Sequence, residues 1–178
     1  VTAPSSASGL RRFVLQLLEI MRLRSGPEDL PAGWGLAFLM AVLYMLEGLM
    51  ADYLLSEGHA APRSLVSVSI QFVAIATLLG LRRFSVRSPQ TITALAGTGL
   101  VFGALSIALA LQASPGAVQP LLVLVWVGAF VWSLVVDAHI YRRALSINMS
   151  LGMLVAVLIF ALNFVVVEQL FPPEQIQG

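Results

Sequence analysis

Five runs of mostly apolar residues, at 33–55, 64–81, 91–111, 118–138 and 147–170, limit what this chain can fold into. A helix of about 20 such residues crosses the hydrocarbon of a bilayer. Backbone exposed to lipid must close its own hydrogen bonds, which favours helices over open strands. The chain is 58% hydrophobic and 11% charged. Ordinary soluble domains carry about 25% charged residues, so this chain lacks the polar surface a soluble fold of its length needs. The expected fold class is an all-α membrane protein: an N-terminal amphipathic interfacial helix followed by a bundle of about five transmembrane helices. The gaps "SEGHAAPR", "RRFSVRSPQ", "QASPGAVQP" and "HIYRRALS" are too short to hold a soluble domain.

Arginine sets the orientation. Cytoplasmic loops of membrane proteins are enriched in Lys and Arg. Arg11, Arg12, Arg22, Arg24, Arg82, Arg83, Arg87, Arg142 and Arg143 fall on one side of five alternating spans, and Arg63 falls on the other. This predicts a bacterial inner (cytoplasmic) membrane protein with a cytoplasmic N-terminus and a periplasmic C-terminus. The expected division is a flexible tail at 1–9, an amphipathic interfacial helix at 10–24, an elbow at 25–32, the transmembrane domain at 33–170 and a short external tail at 171–178.

In the first helix Leu10, Phe13, Val14, Leu17, Leu18 and Met21 recur with helical spacing. The charges fall mainly elsewhere, which suits a helix lying in the interface with Arg on anionic lipid of the cytoplasmic leaflet. Arg11, Arg12, Arg22 and Arg24, with Glu28 and Asp29 of the elbow, are the expected lipid or partner contacts. The elbow "RLRSGPEDLPAG" is not a phosphate loop, because Pro27 and Pro31 remove backbone donors. Gly26 and Pro27 end the first helix on this reading. Asp29 caps the next one, with Pro31 in its first turn.

Ionisable residues inside a bilayer are functional candidates by default. Glu47 in "LYMLEGLM" is the clearest. Counting from the outer ends of the other spans places Gln71, Ser106, Trp126 and Asn163 at its level, roughly 10 Å below the boundary at 1.5 Å per residue. The layer is either a set of interhelical hydrogen bonds, with Gln71 and Asn163 as partners of Glu47, or a proton-binding cavity open to the outside. Ala96, Gly99, Gly103 and Ser106 form a small-residue stripe on which another helix can pack closely.

At the cytoplasmic end of the fourth span stand Asp137, His139, Arg142 and Arg143. Asp137 and His139 are two apart and therefore on different helix faces. The expectation is a helix-end cluster, with Asp137 paired to a nearby Arg and Tyr141 in the interfacial belt. His59 reads as a solvated loop residue.

Cys is absent, as is Lys, and net charge is +1. Thiol chemistry and Cys-ligated metals are therefore excluded, and no broad basic field exists for nucleic acid. No nucleophile stands with an activating base, so no enzyme, cofactor or metal is expected.

The junction formed by Arg22, Arg24, Gly26, Pro27, Asp29, Leu30 and Pro31, ahead of five spans, resembles that of the small Yip1-like membrane proteins of proteobacteria. "TALAGTG" and the spacing of Trp132, Ser133 and His139 add weaker likeness. The resemblance implies a cytosolic N-terminus and protein partners, and brings no catalytic residue. The long cytosolic N-terminal region of the eukaryotic members is lacking, so their trafficking role is not carried over. The expected function is a non-enzymatic scaffold, assembly or accessory subunit of a larger membrane complex, with a membrane-protein partner or a second copy of itself. The alternative is a small transporter or channel component using the Glu47 layer.

Overall fold

The computed structural model describes residues 6–55, 63–113 and 119–172. His59 and the tail beyond Pro172 lie outside the described residues. Among the described residues there are six helices: α1 (Ser6–Met21), α2 (Trp34–Leu55), α3 (Arg63–Leu81), α4 (Ser88–Ala110), α5 (Pro120–Leu145) and α6 (Met149–Leu170). Single 3-10 turns at Pro27–Asp29 and Ser85–Arg87 precede α2 and α4. Helices α2 to α6 are each long and apolar enough to cross a membrane. The all-α membrane fold expected from the sequence is the fold observed. Helix α5 extends seven residues past the expected end at 138, and that extra length carries most of its buried side chains.

Helix α4 is the centre of the bundle. Of its apolar window 44% is buried, against at most 22% in any other span. Small residues make this possible. A Cβ on Gly97 would lie 2.7 Å from Leu17 Cδ2, and one on Gly99 would lie 2.6 Å from Tyr44 Cζ. Gly103 sits directly beneath the Glu47 carboxylate. The stripe of Ala96, Gly99, Gly103 and Ser106 is thus an internal packing face, turned mainly to α2. The buried hydroxyls of α4 are satisfied within the helix: Thr91 donates to Arg87 O, Thr93 to Pro89 O and Thr98 to Ala94 O, at 2.8–2.9 Å.

Helix α1 packs on this bundle rather than lying free on lipid. Leu17 and Ile20 are buried in the core, and Phe13 and Met21 pack against it. Leu10, Val14, Leu15 and Leu18 stay exposed. The apolar stripe read from the sequence is therefore divided, with one edge on protein and the other open. Ile20, which the stripe omitted, is its most buried member.

Three helices end at the same, Arg-rich end of the bundle on left-handed residues that are not glycine: Leu23, Arg83 and Ser146. After α1 the Leu23 N–H donates to Ile20 O and the Arg24 N–H to Glu19 O; after α3 Arg83 donates to Gly80 O and Phe84 to Leu79 O. These are the paired bonds of a Schellman stop. Helix α1 thus stops at Leu23, before Gly26 and Pro27. Asp29 does not cap α2 either. It belongs to the preceding 3-10 turn, and its Oδ2 accepts from the Gly26 N–H at 2.9 Å.

Helices α5 and α6 meet closely at Gly152, where an added Cβ would lie 2.5 Å from the Ala138 carbonyl oxygen. Backbone cannot swing away as a side chain can. We expect Gly152→Leu to destabilise the bundle by about 1–3 kcal/mol, the usual range for overpacking. Gly35→Leu, where nothing lies within 4 Å, should be close to neutral. Thermal unfolding of both variants in detergent checks the difference.

Candidate functional site

Polar side chains recur with helical spacing on the inward faces of the spans. Ser64, Ser67 and Gln71 line one face of α3, and Ser133, Asp137 and Tyr141 line one face of α5. Tyr44 and Glu47 descend from α2, and Gly99, Gly103 and Ser106 form the facing wall of α4. These faces border two adjoining cavities of about 310 and 380 Å³, which share Tyr44, Ser64, Ser67, Gln71, Ser133 and Asp137. The glycines of α4 create the room: any side chain at Gly99 or Gly103 would occupy space that Tyr44 and Glu47 now use.

The hydrogen bonding inside is incomplete. Gln71 Nε2 donates to Asp137 Oδ2 at 3.3 Å and to Tyr141 Oη at 3.2 Å. Glu47 Oε1 and Asn163 Oδ1 are buried with no hydrogen-bond partner. Asp52 Oδ2, nearer the opposite end, accepts from both the backbone N–H and the hydroxyl of Ser64, at 3.0 and 2.7 Å. That carboxylate caps the first turn of α3 from the end of α2. Arg63, on the rim, donates to Phe171 O at 3.3 Å. No Arg lines the smaller cavity, so its two carboxyl groups face no fixed positive charge there.

Four of the five residues of the expected layer do line these cavities. Glu47, Gln71 and Ser106 share the smaller one, and Asn163 lines the larger. Trp126 does not. It is 49% exposed and stacks on Phe130, with ring centroids 6.0 Å apart. Trp126 is seven residues before Ser133 and so on the inward face of α5. At its level, however, Val123, Leu124, Val125, Val127 and Gly128 are also exposed, and no helix closes over it. The partners also differ from expectation. Gln71 serves Asp137 and Tyr141, not Glu47, because α3 turns that face toward α5.

The expected helix-end cluster divides in two. Asp137 makes no Arg pair and faces the cavity. Tyr141 is buried at 1% exposure rather than interfacial. The cause is the longer α5, which places both residues within the bundle. His139, on the opposite face as the spacing required, is buried, and its Nε2 donates to the Ser25 carbonyl at 2.7 Å. Arg143 forms an ion pair with Glu28.

The elbow is strapped down. Gln16 Nε2 donates to Asp29 O at 2.8 Å. Gln90 Nε2 donates to Glu28 O at 3.1 Å and to Leu30 O at 2.8 Å. With the bonds to Ser25 and the Asp29 carboxylate, the polar groups of this turn are largely used within the fold. Glu28 and Asp29 therefore act first as internal ties. Arg11, Arg12 and Arg24 are exposed, and Arg22 reaches Glu19 at 3.4 Å across an exposed pair. Among the described residues no three His, Asp or Glu side chains come together as a metal ligand set. No family model, curated protein or solved structure matches the chain.

Gln71 holds the cavity wall together through two bonds. Gln71→Leu leaves Asp137 Oδ2 and Tyr141 Oη without their shared donor, at a cost of about 1–3 kcal/mol for a buried unsatisfied group. We expect a lower unfolding temperature in detergent for Gln71→Leu, with Gln71→Glu restoring it only where the new carboxyl is protonated, since a carboxylate cannot donate but the acid can.

Proposed function

We propose that this chain is a non-enzymatic membrane protein whose working part is the cavity between Glu47 and Asp137, acting as a small transporter or channel component that binds protons or a small polar solute. One observation carries the reading. Two carboxyl groups from different helices line one intramembrane space, and Glu47 Oε1 is buried there with no partner. A layer built only to join helices pairs its polar groups with one another, because an unsatisfied buried polar atom costs stability. Here Gln71 is used elsewhere, and Glu47 and Asn163 keep free acceptor oxygens.

The inner bacterial membrane, a cytoplasmic N-terminus and a periplasmic C-terminus belong to the same proposal. Support comes from the Arg distribution along the sequence. It comes also from the gathering of Arg82, Arg87, Arg142 and Arg143 around one end of the bundle, where Arg82 and Arg87 donate to the last carbonyls of α5. Membership of the Yip1-like family is proposed on the 22–31 junction and the five-span layout.

A second reading, an accessory or scaffold subunit, is favoured by the bare outer half of α5. Val123 to Gly128 are exposed in succession, so the helix is uncovered on every side at that level. If a partner subunit covers it, mild-detergent affinity purification at native expression recovers that partner, and Leu124→Glu abolishes the recovery. A lone monomer with unaltered behaviour on Leu124→Glu counts against this reading.

The transport reading is tested in liposomes loaded with a pH-sensitive dye under an imposed proton gradient. Wild-type protein should conduct. Glu47→Gln keeps the size and hydrogen-bonding capacity of the side chain but cannot ionise. It should lower the rate about tenfold or more, equivalent to roughly 1.4 kcal/mol of lost charge-dependent interaction. Equal rates for wild type and Glu47→Gln, with Glu47→Leu failing to fold, would show a purely structural residue.

A further inference from the structure

A separate cavity of about 420 Å³ lies at the Arg-rich end, between the start of α4, the end of α5 and the elbow turn. Three guanidinium groups line it, from Arg87, Arg142 and Arg143, against one carboxylate, Glu28. The geometry points to a phosphate-binding site, filled either by the headgroup of an anionic phospholipid or by free phosphate.

Each arginine stands in a different state. Arg87 is fixed in place. Its Nη1 donates to Ala144 O at 3.1 Å and Ser146 Oγ at 2.8 Å, and more weakly to Arg143 O at 3.4 Å. Its guanidinium lies 4.5 Å from the centre of the Phe84 ring. These contacts neutralise the last carbonyls of α5, which would otherwise repel an anion, and hold the charge without lost side-chain freedom on binding. Arg142 Nε is buried and has no hydrogen-bond partner. A buried guanidinium N–H without an acceptor is costly. That N–H lies beneath the cavity surface, and a turn of the Arg142 side chain, which borders the space, would bring it to a phosphate oxygen, a well-matched acceptor. Arg143 is held by Glu28, and their side chains are each 44% exposed, so the pair is open to competition from a stronger anion. The first turn of α4, at Gln90 and Thr91, also borders the space and adds the favourable end of a helix dipole.

A site of this kind differs from Arg11, Arg12, Arg22 and Arg24 on and just after the first helix. Those are exposed, whereas Arg87, Arg142 and Arg143 border one walled space. Basic pockets between transmembrane helices at the cytoplasmic side are where lipid headgroup phosphates are held.

The test uses the full chain, delipidated in neutral detergent. One arm titrates inorganic phosphate and follows thermal unfolding. The other adds phosphatidylglycerol, with phosphatidylcholine as the zwitterionic control, and counts retained lipid by native mass spectrometry. Saturable stabilisation by inorganic phosphate identifies a free-phosphate site. Retention of phosphatidylglycerol over phosphatidylcholine, without a phosphate effect, identifies a headgroup site. In either case Arg142→Gln should weaken binding about tenfold or more, the loss of a charge-assisted contact. Glu28→Gln removes the competing carboxylate and should strengthen binding, which keeps the proposal open to refutation if Arg142→Gln fails to fold. Arg83→Gln, at an exposed arginine of the same end that does not line the cavity, should leave binding unchanged. No saturable binding of either probe overturns the proposal. So does Glu28→Gln with no gain, or loss on Arg83→Gln equal to that on Arg142→Gln.

Discussion

Close approach of backbones along α4 is the constraint on which the rest of this protein depends. Lipid tails are as apolar as the side chains they meet, so helices in a membrane gain little from burying apolar surface against one another. They associate through van der Waals contact, and that requires small residues where they cross. Gly97, Gly99 and Gly103 supply this on α4. Leu17 of the first helix settles over Gly97, Tyr44 over Gly99 and Glu47 over Gly103. One face of one helix thus docks the N-terminal segment and positions the two side chains of α2 that reach the cavity.

The polar interior follows from that packing. Once α2 is drawn onto α4, the α3 face carrying Ser67 and Gln71 turns toward the α5 face carrying Asp137 and Tyr141. The carboxyl of Glu47 is left over. Its unpartnered oxygen separates the cavity from a simple hydrogen-bonded layer. At the other end of the bundle the reverse holds. Arginines, not carboxylates, gather around the elbow, and they are tied to backbone carbonyls and to Glu28. The molecule therefore carries an acidic interior space and a basic terminal one, with different partners in the same five helices.

The helices were legible in the sequence because the apolar runs are long and the breakers between them are dense. Their level was less so. Counting from the outer start of α5 placed Trp126 in the layer, but no other helix covers α5 at that level. The last seven residues, apolar and charged in mixture, lie inside the protein rather than beyond it. The polar faces themselves were present as spacing: Ser133, Asp137 and Tyr141 repeat every four residues, as one helical face does. Hydropathy averages a span and hides such a stripe. The strapping of the elbow could not be read at all. It depends on Gln90 and His139, 60 and more residues away in sequence, and on which way the bundle turns them.

That long separation makes the seat of α1 depend on distant helices. It packs against α4 and α5, with His139 donating to the Ser25 carbonyl across 114 residues. The burial of Leu17 and Ile20 therefore rests on side chains far along the chain. The second apolar edge, Leu10, Val14, Leu15 and Leu18, remains exposed, so α1 is a helix with two apolar edges, one closed by the bundle and one that the bundle leaves open.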